Sequence, residues 1–254
     1  MKTKQPSGAQ RHGQVPGRQE APRAAATPGR ASNRDLYRAA VTGLAPSVLL
    51  IGLVYHPHLD DLRDKGSVAA ALSADTTRWG IAHLVVGVAA ALVLLAFLSV
   101  HEFLREGGHS GMSDLGVPFI VIGSVLFAFL PAMEIAMLGA YGAGVDVEEV
   151  LLEMNTWFQP ILLAGAAVFA VGVAFFAVAI ARSRMLGGGL TWLVVGALVV
   201  AAVARFVPLG AALYLGGAAL VVALLPIAVV MVTQPTRDRG RRRRLVPTGL
   251  AGDY

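Results

Sequence analysis

Six stretches of this chain are almost free of charged side chains, and they constrain the fold more than any other feature. They are residues 41–55, 81–100, 117–138, 160–181, 190–204 and 209–233. An α-helix needs about 20 apolar residues to cross a bilayer. Charged residues make up 15% of the chain, against about 25% in a soluble globular domain. The sequence therefore predicts an all-α, polytopic membrane protein with six transmembrane helices in residues 35–233, and it argues against a soluble fold.

Both ends of the chain differ from this apolar centre. Residues 1–34 are rich in Gln, Pro, Gly, Ala and Arg without apolar periodicity, and residues 234–254 carry a run of arginines. Such segments bury too little apolar surface to offset the entropy lost on ordering, so we expect disordered basic tails. A signal peptide with 41–55 as its apolar region is the alternative. That region ends in Tyr55-His56-Pro57-His58 rather than at small residues, so we expect it to remain as the first span.

The links between spans carry three structural predictions. Ser67 is a candidate N-cap for a short helix after the first span. Apolar residues in 146–154 recur at helical spacing, which predicts a separate helix lying in the membrane interface. Pro131 should kink the third span, and the short Val207-Pro208 link should join the last two spans as a hairpin.

The basic residues predict the orientation of the bundle. Six spans place both termini on one side, and cytoplasmic loops are enriched in Lys and Arg. The side of the termini carries Arg34, Arg38, Arg182, Arg184 and Arg237, whereas the other carries Arg63, Lys65, Arg78 and Arg205. Both termini are therefore predicted to be cytoplasmic, in a plasma-membrane protein. Aromatic residues at the predicted outer interface include Tyr55, Trp79, Tyr141 and Trp157.

Glu134 is the strongest functional candidate, because an ionisable side chain within a membrane span costs free energy and is usually paired or functional. Arg205 and His83 lie at comparable depth near the outer ends of other spans. In one interpretation Glu134 belongs to a ligand or proton pocket with these two residues. In the other, Glu134 and Arg205 form an ion pair that locks two helices together. The sequence leaves both interpretations open.

The outer loop suggests a metal site. His56, His58, Asp60 and Asp61 are close in sequence and have the ligand types that suit Zn, Cu, Ni or Fe. These residues need not converge with His83, since loop histidines beside a proline can simply be solvated. The chain has no cysteine, which excludes thiolate ligands and a cysteine nucleophile.

A haem site has little support in the sequence. His83 and His101 share one face of the second span, but no other span carries a histidine that could supply a second axial ligand. No cofactor therefore follows from the sequence.

The C-terminal tail contains four consecutive arginines. A basic cluster just cytoplasmic to a span is typical of binding to anionic lipid head groups, and we prefer this to nucleic acid. The cluster is Arg241, Arg242, Arg243 and Arg244.

No stretch matches a catalytic or transport motif specific enough to name an activity. The leading hypothesis is a polar pocket, open to the outside between the second, third and fifth spans, that binds a small ligand or ion in transport or sensing. The first alternative is a structural or accessory subunit that meets a partner subunit or a second copy of itself. The second is an intramembrane metal-dependent enzyme. Small residues spaced four apart, Gly87 with Ala91 and Ala170 with Ala174, favour close helix packing.

Overall fold

The computed structural model describes residues 31–234, and these form seven α-helices. The helices are α1 Asn33–Tyr55, α2 Lys65–Ala74, α3 Thr76–Glu106, α4 Gly111–Gly142, α5 Val147–Ser183, α6 Gly188–Ala204 and α7 Gly210–Thr233. The described range contains no β-strand, only an isolated bridge between Asp61 and Leu209. The predicted all-α class is confirmed. The predicted tails lie mostly outside the described residues, and Arg241 to Arg244 lie wholly outside them.

Five helices are long and apolar enough to cross a membrane, namely α1, α3, α4, α5 and α7. The fifth predicted span corresponds to α6, which is apolar but has only 17 residues. That length is at the lower limit for a transmembrane helix. The bundle is consistent with a multi-pass membrane protein embedded in lipid.

The six longer helices form a closed ring. α1 packs on α3, α3 on α4, α4 on α5, α5 on α6, α6 on α7, and α7 returns to α1. Short links make consecutive helices antiparallel, so the ring has two ends. We call the end with Asn33, Glu106 and Thr233 the tail end, and the end with Tyr55, Thr76 and Gly210 the loop end.

The prediction of a separate interfacial helix at 146–154 is wrong. α5 is one continuous helix of 37 residues, capped at Asp146 and running through Pro160. Val147 and Leu151 are buried in an apolar cluster with Trp79 and residues of α2 and α4. The apolar face that we expected to lie on the membrane surface is therefore covered by other helices of the protein. This packing lets residues 147–154 continue the axis of α5.

Local hydrogen bonds explain where the helices begin. Ser32 and Asp35 form a capping box that starts α1 at Asn33, slightly earlier than the sequence predicted. The short helix α2 exists, but its cap is Asp64 rather than Ser67. The carboxylate of Asp75 accepts the backbone N–H of Arg78 at 2.8 Å and caps α3.

Close helix contact depends on glycines that the sequence analysis did not single out. Gly123 of α4 faces Phe169 of α5 so closely that an added Cβ would lie 2.7 Å from the Phe169 backbone nitrogen. A Cβ at Gly172 of α5 would lie 2.9 Å from the backbone nitrogen of Ile120. By contrast, a Cβ at Gly87 would meet only an ordinary contact with Pro131. The closest approach is therefore between α4 and α5.

Ion pairs tie α1 to α3 at the tail end. Arg38 is buried and donates to both carboxylate oxygens of Glu106 at 2.9 Å and to Glu102 at 3.3 Å. Arg34 reaches the same two glutamates at 3.3 Å. Nη1 of Arg38 is shared between the two Glu106 oxygens while Nη2 donates to Glu102, so one buried arginine of α1 is held by two carboxylates of α3.

Candidate functional site

A cavity of about 430 Å³ lies at the loop end of the ring. Its walls come from α1, α2, α3, α4, α5 and α7 and from the links that follow α1 and α6. Sites for small molecules have volumes of about 300–1,000 Å³, so the cavity is large enough for one.

The cavity exists because α6 is short. At 1.5 Å per residue, 17 residues of α6 reach about 26 Å, whereas the 37 residues of α5 reach about 56 Å. Within residues 31–234, α6 ends at Ala204, and the non-helical residues 205–208 line the cavity between α5 and α7. Two backbone hydrogen bonds close this gap from outside: Leu62 N–H donates to the Pro208 carbonyl at 3.2 Å, and Gly210 N–H to the Asp60 carbonyl at 3.3 Å.

His83 and Glu134 meet on one wall of the cavity, from α3 and α4. Nε2 of His83 lies 2.5 Å from Oε2 of Glu134, and Nδ1 lies 2.7 Å from the Trp79 carbonyl oxygen. A carbonyl only accepts, so Nδ1 carries a hydrogen. The indole N–H of Trp79 donates to the Glu134 backbone carbonyl at 3.3 Å and braces the same pair of helices.

His56 joins this wall from the end of α1. Arg78 holds the turn, because its Nε donates to the Tyr55 carbonyl at 2.7 Å and its Nη2 to the His56 carbonyl at 3.4 Å. The His56 ring lies 4.8 Å from the His83 ring and 5.1 Å from Trp79 between centroids. Burial, followed by the charge of His83, lowers the pKa of His56.

Arg205 lies at the end of α6 and also lines the cavity. Its Cζ lies 4.0 Å from the ring centre of Phe169 and 4.4 Å from that of Phe127. Such distances give cation–π attraction. The backbone N–H of Arg205 donates to the Val203 carbonyl, but between residues 31 and 234 its guanidinium makes no salt bridge and no hydrogen bond.

Of the two interpretations that the sequence left open, the ion pair between Glu134 and Arg205 is not the one that the structure has. The carboxylate instead pairs with His83, and the guanidinium packs between two aromatic rings. The tertiary fold brings His83 within hydrogen-bond reach of the carboxylate, which sequence depth alone could not show. Glu134, His83 and Arg205 nevertheless all line the same cavity.

The loop residues proposed as metal ligands take separate partners. His58 lies 3.1 Å from Asp60 and stacks on Tyr214, and it does not line the cavity. Asp61 accepts the backbone N–H of Arg63 at 2.9 Å within the turn. Over residues 31–234, no three His, Asp or Glu side chains are grouped so that they could hold a metal ion.

The two histidines that share one face of α3 belong to separate sites. His101 lies near the tail end, where Nδ1 is 3.0 Å from the Ser113 hydroxyl and Nε2 is 3.6 Å from Asp114. It therefore belongs to a different polar cluster from His83.

Comparisons with protein-family models, curated proteins and solved structures gave no match. The geometry of the cavity is therefore the basis for a functional assignment.

Sequence reasoning missed the aromatic residues that hold the site. Trp79 was expected at the membrane interface, but it is only 1% exposed. Its backbone carbonyl accepts from His83, and its indole N–H donates to the backbone carbonyl of Glu134. Phe127 and Phe169 hold Arg205. Aromatic residues in apolar spans usually indicate core or lipid contact, so the sequence carried no signal that separated these three from the rest.

Proposed function

We propose that this protein is a six-span plasma-membrane protein that binds a small ligand or ion in the loop-end cavity, in transport or sensing. In this proposal both termini are cytoplasmic and the cavity opens toward the outside. The observation that carries the proposal is a cavity lined by a paired histidine and glutamate and by an arginine without an acidic partner in the described chain.

Two features support this orientation and span number. The arginines at the tail end lie on the side that the charge bias assigns to the cytoplasm. The 17 residues of α6 lie at the lower limit for a crossing, and Phe206 and Val207 extend its apolar length. Arg241 to Arg244, outside the described residues, would then bind anionic head groups at the cytoplasmic face.

A ligand-binding role accounts for the cavity better than a purely structural role. Small-molecule sites are typically concave and mostly apolar, with a few polar groups that fix the orientation of the ligand, and this cavity has that composition. In a structural or accessory subunit, polar groups inside the bundle serve to hold helices together by pairing with one another. The His83–Glu134 pair fits that role, but Arg205 does not.

A thermal-unfolding screen in detergent tests the proposal. Small acids, amines, neutral solutes and metal ions are added in turn to the purified protein, and a ligand should raise its Tm by mass action. The variant Leu162→Phe places a larger side chain in the cavity wall and should abolish this stabilisation. The matched control Leu193→Phe changes an exposed leucine of α6 outside the cavity and should retain it. Equal stabilisation of both variants would contradict a site in this cavity.

A further inference from the structure

We propose that the ligand is an amphipathic anion, with one acidic head group held by Arg205 and an apolar chain lying along the cavity wall. The head group is a carboxylate or a phosphate. This inference rests on the proposed function, and it adds the chemical class of the ligand and the residue that selects it.

Arg205 is arranged to receive an acidic group. The two rings at 4.0 and 4.4 Å hold the guanidinium in place without using its N–H groups. In the described chain, Oγ of Ser124 is the only fully buried side-chain N or O atom that lacks a hydrogen-bond partner. The Arg205 side-chain nitrogens also lack a partner but are not fully buried, so they remain accessible from the cavity. A planar guanidinium binds carboxylate or phosphate through two parallel hydrogen bonds.

The charges around the cavity favour an anion. Arg63, from the link between α1 and α2, and Lys65, the first residue of α2, also line it. Among residues 31–234 the only carboxylate in the lining is Glu134, which is paired with His83. Glu148 lies near Gly66 but does not line the cavity. Three basic residues thus line the space, and none of them makes an ion pair within the part of the chain that the structure describes. Such a concentration of positive charge raises the local concentration of anions.

Most of the remaining wall is apolar. The side chains that contribute are Leu53, Val86, Leu130, Phe158, Leu162 and Leu213. A small inorganic anion would leave this surface uncovered, whereas an alkyl chain attached to the acidic group would bury it. Burial of each added methylene removes apolar surface from water, so affinity should rise with chain length.

An apolar rim lies on the side of α5 and α6. Leu163, Phe206 and Val207 line the cavity and are also 46%, 44% and 37% exposed on the surface of the bundle. In a membrane these side chains face lipid, so the apolar chain of an amphiphile can enter along this side while its head group meets Arg205.

The test uses fluorescence quenching of Trp79, which lines the cavity. The chain has 3 tryptophans, so Trp157→Phe with Trp192→Phe leaves Trp79 alone. The probes are a medium-chain fatty acid brominated at its terminal carbon and the alcohol of equal length, in maltoside detergent at about pH 8, where the acid is ionised. Trp79 is 1% exposed, so a probe dissolved only in the micelle does not reach it.

We expect the acid to quench Trp79 at a concentration about tenfold lower than the alcohol, the effect of one charged hydrogen-bonded contact. Arg205→Gln should reduce this preference to about twofold or less. The matched control Arg182→Gln, an exposed arginine at the tail end, should keep it. Because Arg205→Gln can impair folding, Arg63→Gln provides a second variant at an exposed side chain and should weaken acid binding severalfold.

Competition then separates the two sources of an acidic amphiphile. Displacement of the brominated acid by decanoate or decyl phosphate, but not by phosphatidylglycerol, supports a free single-chain ligand. Displacement by phosphatidylglycerol as well supports the same chemistry supplied by the bilayer. Equal quenching by acid and alcohol, unaffected by Arg205→Gln, would overturn the anion inference and leave the cavity as a binding site. Quenching by neither probe, together with no stabilising compound in the screen, would overturn the proposed function itself.

Discussion

Nε2 of His83 on α3 and Oε2 of Glu134 on α4 lie 2.5 Å apart, so the two side chains share one proton. The Trp79 carbonyl fixes the hydrogen of the imidazole on Nδ1, which leaves Nε2 to face the carboxyl group. The contact links α3 to α4 beside the cavity.

Removing either partner of this contact should destabilise the protein. Glu134→Gln and His83→Gln each leave the other group without its partner, so each should lower the free energy of unfolding in detergent by about 1–3 kcal/mol. The double variant should lose less than the sum of the two. Thermal or denaturant unfolding of the four proteins gives the coupling energy.

A control cycle identifies coupling that is specific to this pair. Glu149 is an exposed carboxylate at the start of α5. Glu149→Gln combined with His83→Gln should give additive effects. If the Glu134 cycle were equally additive, the contact between His83 and Glu134 would not contribute to stability.

Gly123→Ala should lower the Tm because the new methyl group would overlap the backbone of Phe169 at 2.7 Å. Backbone cannot move aside as a flexible side chain can, so α4 and α5 must separate, at a cost of about 1–3 kcal/mol. Gly139→Ala on the same helix is the matched control, since its Cβ would meet nothing within 4 Å. A Tm for Gly123→Ala equal to that of Gly139→Ala would show that α4 and α5 do not approach this closely.

Reporter fusions test the membrane topology. With six spans and cytoplasmic termini, reporters at the N-terminus, near Gly188 and after Thr233 should report inside, and those near Gly66 and Gly144 outside. The fusion after Thr233 is the most informative one, because α6 is the shortest apolar helix. A C-terminus outside the cell would show that one predicted span does not cross.

Stability should fall in acid because of His56. Burial and then His83 lower its pKa, Arg78 lowers it further, and Glu134 opposes them. The folded state therefore binds fewer protons than the unfolded chain, whose histidine pKa is about 6.5. Neutral His56 therefore contributes to stability above about pH 6.5. This contribution is lost as the pH falls from there through the pKa that His56 has in the folded state.

The Tm at about pH 7.5 and pH 5.5 measures this effect. His56→Phe keeps a ring against Trp79 and should show a smaller loss in acid than the unaltered protein. His58→Phe changes the exposed neighbouring histidine and should show the same loss as the unaltered protein. An acid loss unchanged by His56→Phe would assign the titration to another group.

The sequence by itself determined the helical class, the order of the apolar helices along the chain and the residues with unusual polarity. Charge-free stretches force helices in lipid because backbone groups must be satisfied within the segment. The same reasoning singled out Glu134, His83 and Arg205, because ionisable groups near the middle or ends of spans are costly.

Only the tertiary structure decided how these residues are paired. Which residue meets Glu134 depends on the rotation of α3 and α4 about their axes, and hydropathy does not encode that rotation. The sequence could not predict the length of α5 for a similar reason. Val147 and Leu151 can pack either on the bilayer surface or on apolar side chains of α2 and α3, and hydropathy does not distinguish these neighbours. The cavity likewise depends on the length of α6 relative to its neighbours, a property of the packed ring rather than of any one segment.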